Sequence, residues 1–521
     1  MPLPRRQGLL ALLALVLSFV VSCGGGSSGG GGSTPQPAVS VSPASLTFSS
    51  ESVGITSAAQ TVTLTNTGSA SLAISSIAVS GAFAETNTCG GSVAASGTCT
   101  ISVTFTPTGA GSFTGTVSIT DDASGSPQAV QLAGTGAGAT LSWKDAETFG
   151  SGDDAAYGIT ILNGTNLIVV GVGNLNQETQ TLSSVALSYT LGGTVNSNKY
   201  VGPPTTEPTG FLTVGASGSI ALAGGSNTAG TASVSDFDQN VNLTASDYCP
   251  STQYAGAFAA IATTSNTAYL GIDRNPTTTP AITEADASGN INCTALIGLP
   301  FTNPSARIGS IVATSSFLIV TGDEVPSTST ASVVGWVAKL GLDGTVQAQQ
   351  QFNNIVLPRA VAITESGSIV IYLVGSLNPT ASPYDQPIWV NKLDSGLNQV
   401  ARWPLTWDGD NPDFVDSQGN KGDLVSWGNA IVANPAASGG IIAVGQITGL
   451  PPNTDPNYSD IGIIAYGPTG TVLWKTRQSF YVKVTCNAAV VQGSFLYVVG
   501  AINNSDQTIQ QSLTTAFTLP N

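Results

Sequence analysis

An eleven-residue segment occurs twice in this chain in nearly the same form: Ala139–Phe149 reads ATLSWKDAETF and Gly470–Phe480 reads GTVLWKTRQSF. Thr, Trp, Lys and the final Phe keep their places, so both copies predict the same kind of β-strand. The second copy ends a repeating unit. The first stands before any unit has begun, and the last unit, at the C-terminus, stops one strand short. An orphan strand at the start and a missing strand at the end predict that the first completes the last. Such pairing closes a ring and leaves no sheet edge between its first and last units.

The units are most legible in their second strands. These are Leu167–Gly171 (LIVVG), Ile220–Gly224 (IALAG), Ala268–Gly271 (AYLG), Leu318–Gly322 (LIVTG), Ile371–Gly375 (IYLVG), Ile442–Gly445 (IAVG) and Leu496–Gly500 (LYVVG). Tight third-to-fourth turns accompany them: Leu191-Gly-Gly, Asp286–Gly289, Leu342–Gly344, Asp394–Gly396 and Pro468–Gly470. Each supplies Gly, Asp or Asn where a hairpin needs positive φ. Copies recurring about every fifty residues predict seven four-stranded blades over residues 138–521, a β-propeller. The wording resembles bacterial propeller repeats of the form A-x-G-x-I-Y-V-x-G … D-x-x-G-x-x-x-W. Quinoprotein dehydrogenases also repeat Gly-x-x-x-Trp in their blades. Here only Trp143 and Trp474 occupy that place, which reads as two indoles packed at blade edges rather than as a quinone site.

Composition excludes whole classes of chemistry. Thirty acidic residues face fourteen basic ones, for a net charge of −16, and no basic cluster lies beyond the N-terminus, so nucleic acid is excluded as a partner. The chain has no histidine, which removes Ser-His-Asp and Cys-His catalysis and every His-containing zinc or copper site. Any catalysis would rest on carboxylates, Tyr or Lys. The six cysteines form no C-x-x-C pair. Gly, Ser, Thr, Asn and Val dominate, with no helical periodicity past the first two dozen residues, so the fold class is all-β.

Residues 37–137 predict a separate β-sandwich. Seven short alternating runs carry it: Val39–Val41, Leu46–Phe48, Val62–Leu64, Leu72–Ile74, Ile101–Phe105, Val117–Ile119 and Val130–Leu132. Ser42-Pro-Ala-Ser-Leu-Thr-Phe48, Val53-Gly54, Thr65-Asn-Thr-Gly68, Phe105-Thr-Pro107 and the closing Leu132-Ala-Gly-Thr-Gly136 resemble the Hydin-type immunoglobulin-like domain, also called ASH or choice-of-anchor D. The resemblance implies a spacer or adhesion module in an exported bacterial protein. Cys89 and Cys99 flank a nine-residue loop that can bring them together, and export favours a disulfide between them.

The first 36 residues predict an address and a tether. Arg5 and Arg6 precede the apolar run Leu9–Val21, which is too short to span a bilayer and has the proportions of a signal-peptide core. The run ends in Val20-Val-Ser-Cys23, which resembles the lipobox of bacterial lipoproteins. That resemblance implies removal of residues 1–22, lipidation of Cys23 and attachment to a membrane. Gly24 stands where an aspartate would signal inner-membrane retention, so the implied location is the outer membrane or cell surface. Residues 23–36, rich in Gly and Ser, predict a flexible tether.

Candidate sites in the ring are fewer. Alternating strand direction gathers Gly173–Ser183, Asn275–Thr279, Pro326–Ser332, Ser376–Gln386 and Gln446–Ser459 on one face, where propellers bind ligands. A glycan or protein ligand is expected there. The crossover Thr406–Asp423 brings Asp408, Asp410, Asp413 and Asp416 together on Gly/Asn-rich backbone, with Asp455 and Asp460 expected on the same side. Hard oxygen ligands of this kind suit calcium, the one metal or cofactor the sequence offers; a metal-free binding loop and a passive solvated insertion are the alternative readings. Cys249 and Cys293 are placed to bridge neighbouring outer strands, and Cys486 reads as a buried, inert thiol. The preferred function is binding or scaffolding. A carbohydrate-active enzyme with paired carboxylates and an outer-membrane assembly subunit are the alternatives.

Overall fold

The computed structural model describes residues 34–52, 56–108, 111–147, 154–176, 181–200, 211–214, 220–226, 231–237, 243–249, 256–263, 267–274, 280–286, 290–292, 296–300, 306–324, 333–365, 367–377, 387–407, 426–436, 439–448, 459–480, 482–503 and 509–520. All elements among them are β-strands. Cys23, Asp408, Asp410, Asp413, Asp416 and Cys293 lie outside the described residues, as does the side chain of Cys249.

The N-terminal sandwich packs two sheets. One runs Val39–Ser42, Gln60–Asn66, Thr98–Phe105, Phe83–Asn87. The other runs Ser45–Ser52, Gln128–Ala137, Gly111–Asp121, Leu72–Val79, Ser92–Val93. Strands Phe83–Asn87 and Ser92–Val93 add to the seven that alternation predicts, because each offers too few inward apolar residues to register as a run. The second and last strands pair in parallel, Leu46 beside Leu132, while the first strand, Val39–Ser42, lies in the other sheet. Phe48, Phe83, Phe105 and Phe113 form the aromatic centre, with Phe83 and Phe105 centroids 4.9 Å apart. Gly134 leaves room for it, since a Cβ there would lie 2.7 Å from the Phe105 ring. Cys89 and Cys99 are joined by a disulfide, with Cα atoms 4.9 Å apart.

The remaining strands form seven four-stranded antiparallel sheets. Their inner strands, Ala155–Leu162, Phe211–Val214, Gly256–Thr263, Ala306–Ala313, Ile355–Glu365, Ser426–Ala433 and Val484–Gln492, neighbour one another in order, and the last returns to the first. The seventh sheet takes its outer strand from the chain's beginning. Thr140–Glu147 pairs antiparallel with Gln510–Thr518 and completes the sheet with Phe495–Asn503 and Val484–Gln492. The ring is therefore a seven-bladed propeller closed by an N-terminal strand. The two sequence copies are equivalent in detail: Trp143 stands opposite Ala516 and Trp474 opposite Ala465, each just after a bulge in its own strand.

The glycine of the second strand has a steric cause where the inner strand bulges beside it. In blades 1, 4, 6 and 7 the inner strand carries a bulge at Tyr157, Gly309, Asn429 and Asn487, and the residue before each bulge pairs with Gly171, Gly322, Gly445 or Gly500. The bulged backbone crowds that position. A Cβ on Gly171 would lie 2.0 Å from the Ala155 carbonyl oxygen, and on Gly322 or Gly500 1.9 Å from the oxygens of Arg307 or Thr485. Only glycine fits there.

Bulge residues also stitch neighbouring blades. Asn487 Nδ2 donates to the Ala156 carbonyl at 2.7 Å, Asn429 Nδ2 approaches Cys486 Sγ at 3.9 Å, and Arg359 donates to the Gly309 carbonyl. At the opposite end the third-to-fourth turn accepts the stitch. Lys339 Nζ donates to Ser395 O and Lys392 Nζ to Pro468 O, both at 2.7 Å, while Tyr497 Oη donates to Leu191 O at 3.1 Å. Each acceptor lies two residues before a turn residue of positive φ: Leu397 at 65°, Gly470 at 85°, Gly193 at 88°.

Several expected loops are shorter than the sequence suggests, because strand pairing runs further. The second and third strands of blade 1 stay paired to Asn176 and Thr181, and those of blade 6 to Thr448 and Ser459. The intervening residues 177–180 and 449–458, like 275–279, 325–332 and 378–386, lie outside the described residues.

Candidate functional site: the seam that closes the ring

A group of ionisable side chains lies where the closing strand of blade 7 meets blade 1. Strand alternation sends Trp143, Asp145 and Glu147 to one face. Their cross-strand partners are Ala516, Thr514 and Ser512. Tyr189, from the third strand of blade 1, packs against them and is 1% exposed.

Apolar packing fixes this arrangement at one end. Trp143 stacks on Tyr189 with centroids 6.1 Å apart at 27° and contacts Tyr497 of its own blade, also at 6.1 Å. Its indole Nε1 donates to Leu191 O at 3.3 Å, the same carbonyl that receives the Tyr497 hydroxyl. Trp403 repeats the device between blades 5 and 6, edge-on to Tyr372 at 5.5 Å and to Tyr466 at 5.8 Å. Trp143 and Trp474, which lies in the core shared by blades 6 and 7, therefore serve as packing indoles.

The other end of the face is polar. Asp145 accepts a hydrogen bond from the Ala146 amide at 3.1 Å, but its buried Oδ2 meets no protein donor, and the buried Thr514 Oγ1 opposite it has no protein partner either. Burial holds the Glu147 carboxyl above its ordinary value of 4.5, and the charge of Asp145 and a hydrogen bond to it act in the same direction. Burial likewise raises the Tyr189 phenol, with smaller contributions from Asp145 and Glu147. Tyr189 lies close enough to Thr514 to favour its ionised form, yet not in hydrogen-bonding geometry with it. Lys144 points away, its Nζ 5.1 Å from the Phe480 ring centroid. This cluster was readable as a strand face but not as a site. The signal that marks it is the comparison with the second copy, where Thr476 and Gln478 replace Asp145 and Glu147.

The other described ionisable groups hold structure. Arg307 grips Asp323 through two hydrogen bonds of 2.9 and 2.8 Å. Asp460, expected in a calcium-binding loop, is instead a strand residue, 5% exposed and ion-paired with Arg477. It belongs to the third strand because pairing runs to Ser459. Asp343 and Asp394 order the tight turns, and hydrogen bonds from Thr345 and Asn398 hold their carboxyls below the ordinary value. Cys486 is fully buried, and burial pushes its thiol up to about 12, as expected of an inert thiol. Cys249 ends the outer strand of blade 2 opposite Ala232. Among the described residues no group of three or more Cys, Asp or Glu side chains gathers as a metal centre, and no helix is long and apolar enough to cross a membrane.

Residues 37–129 match the ASH family model, described as "Abnormal spindle-like microcephaly-assoc'd, ASPM-SPD-2-Hydin". No curated protein matches the chain. Among solved structures, Drosophila Plexin A in complex with Semaphorin 1b is 10% identical over 74% of this chain and 88% of its own, with a TM-score of 0.38. An alpha-L-arabinofuranosidase from Fusarium graminearum in complex with an iminosugar inhibitor is 10% identical over 73% and 97%, TM-score 0.38. A quinonprotein alcohol dehydrogenase-like protein from Bacteroides thetaiotaomicron is 11% identical over 85% and 96%, TM-score 0.37. The chain thus joins an ASH, Hydin-like immunoglobulin-like domain to an all-β propeller ring.

Proposed function

We propose that the chain is an exported lipoprotein, anchored through Cys23 to the outer membrane or cell surface, whose propeller binds a glycan or protein ligand on its long-loop face. One observation carries the scaffold part of this reading. The sandwich's last strand ends at Ala137 and the ring's closing strand begins at Thr140. Of the two residues between, Ala139 is 1% exposed and lies in the core of the ring. No flexible linker separates the domains, so the sandwich works as a stalk continuous with the ring. A ring held by structural ion pairs and packed indoles suits presentation of a surface.

Metabolic labelling with a clickable fatty acid tests the anchor. Label should enter the wild-type chain and be lost in Cys23→Ala; equal labelling of both overturns it. The soluble Cys23→Ala chain, screened against glycan and surface-protein arrays, tests the ligand, and silence on both arrays contradicts a binding role. Nothing specific favours the glycosidase alternative.

A further inference from the structure

A polar position recurs in the seams between blades. Two residues after the one that follows its bulge, the outer strand carries Gln350 in blade 4, Thr476 in blade 6 and Asp145 in the closing strand of blade 7. At all three a buried oxygen has no protein partner: Gln350 Oε1, Thr476 Oγ1 and Asp145 Oδ2. A water molecule suits the two neutral positions, because it needs only a small polar pocket and a few hydrogen bonds. The third differs in charge. Asp145 is flanked by Glu147 on the same face, and opposite them Thr514 is 1% and Ser512 4% exposed, with Thr514 Oγ1 also unpartnered. Among the described residues no cationic side chain answers this pair, since Lys144 lies over Phe480.

We propose that the closing seam binds a hard divalent cation, calcium, through the Asp145 and Glu147 carboxylates and the Thr514 and Ser512 hydroxyls. Two carboxylates and neutral oxygens, with water completing six to eight ligands, make a weak site of the extracellular type, with Kd about 10⁻⁴–10⁻³ M. The ion replaces mutual repulsion between two half-buried carboxylates with attraction to both. Since both sit on the strand that joins the two ends of the ring, occupancy secures closure. It uses none of the aspartates of residues 408–416.

Terbium, which replaces calcium in oxygen sites and luminesces when excited through a nearby indole, reports on it directly because Trp143 lies two residues from Asp145. The full chain with Cys23→Ala is titrated with terbium, and melted in 5 mM calcium against 5 mM magnesium. Asp145→Asn, Glu147→Gln and Asp408→Asn/Asp410→Asn variants are compared, each first shown to melt cooperatively without metal. The expected result is indole-sensitised emission competed by calcium and a calcium-specific rise in Tm of about 1–3 °C. Both should weaken at least tenfold in the two seam variants and persist in the Asp408→Asn/Asp410→Asn chain. Emission and shift that survive both seam variants, vanish only in the loop variant, or are absent from the parent chain overturn the proposal and leave water or a shared proton as the occupant.

Discussion

The seams on either side of blade 7 are built on one strand used twice, yet they differ where it matters most. Between blades 6 and 7 the outer strand presents Trp474, Thr476 and Gln478, and it is tied to its own sheet by the tight turn at Gly470. Between blades 7 and 1 the equivalent strand presents Trp143, Asp145 and Glu147, and its sheet partner Gln510–Thr518 lies at the far end of the chain. The indole, the bulge and the alanine opposite are retained. These parts fix how an outer strand seats on the next blade. What changed is charge, and it changed in the one seam that must form without help from a local hairpin. Closure is therefore the least local step in folding and carries the largest loop-closure cost.

The two seams can be disrupted at several points, the most damaging first. A chain beginning at Gly150 lacks the closing strand and exposes the edge of Gln510–Thr518. It should aggregate and lose cooperative melting, whereas a chain beginning at Ala139 should not; light scattering during a thermal ramp separates them. Next, Gly171→Val places a side chain on the Ala155 carbonyl oxygen and should destabilise the ring by more than about 4 kcal/mol. Gly298→Ala, where nothing lies within 4 Å, should move the urea midpoint little. Trp143→Ala and Trp474→Ala should each cost about 3–5 kcal/mol by denaturant melts, because the indoles do the same work in both seams. A large inequality would show that the two copies are not structural equivalents.

The smallest effect separates the seams by pH. The folded chain holds the Glu147 proton more tightly than the unfolded one, since its carboxyl lies above 4.5. The stability this contributes is fully present below the unfolded value and is lost as pH rises through the folded one. In metal-free buffer, Glu147→Gln should remove that decline, so its Tm should fall less than that of the parent chain as pH rises from about 4.5. Gln478→Glu should transfer a weaker slope, because burial acts there too but Thr476 offers no second carboxylate.

Much of this was readable in the sequence, for identifiable reasons. In blades 1, 4 and 7 the second strand carries its glycine because bulged backbone forbids a side chain there, so a steric rule left a letter behind. The closing strand announced itself because Trp143 and Trp474 fill the same slot and must keep the same neighbours. What escaped was set by contacts between distant residues. Tyr189 and Asp145 meet only once the ring has closed, and no local pattern joins them. Asp460 looked like a loop ligand because its pairing with Arg477 depends on how far the third strand of blade 6 runs. Phe83–Asn87 and Ser92–Val93 escaped because each buries a single large apolar side chain.

The N-terminal strand closes the ring by pairing with the last strand, and one cross-link measures that pairing. Ser142 and Thr518 place their hydroxyl oxygens 2.5 Å apart although 376 residues separate them in sequence. In a Ser142→Cys/Thr518→Cys chain, mild oxidation should form an intrachain disulfide, found by mass spectrometry of the digested monomer and accompanied by a higher Tm. Thiols that stay free under conditions that oxidise Cys89 and Cys99, or that link only between molecules, would contradict the closure.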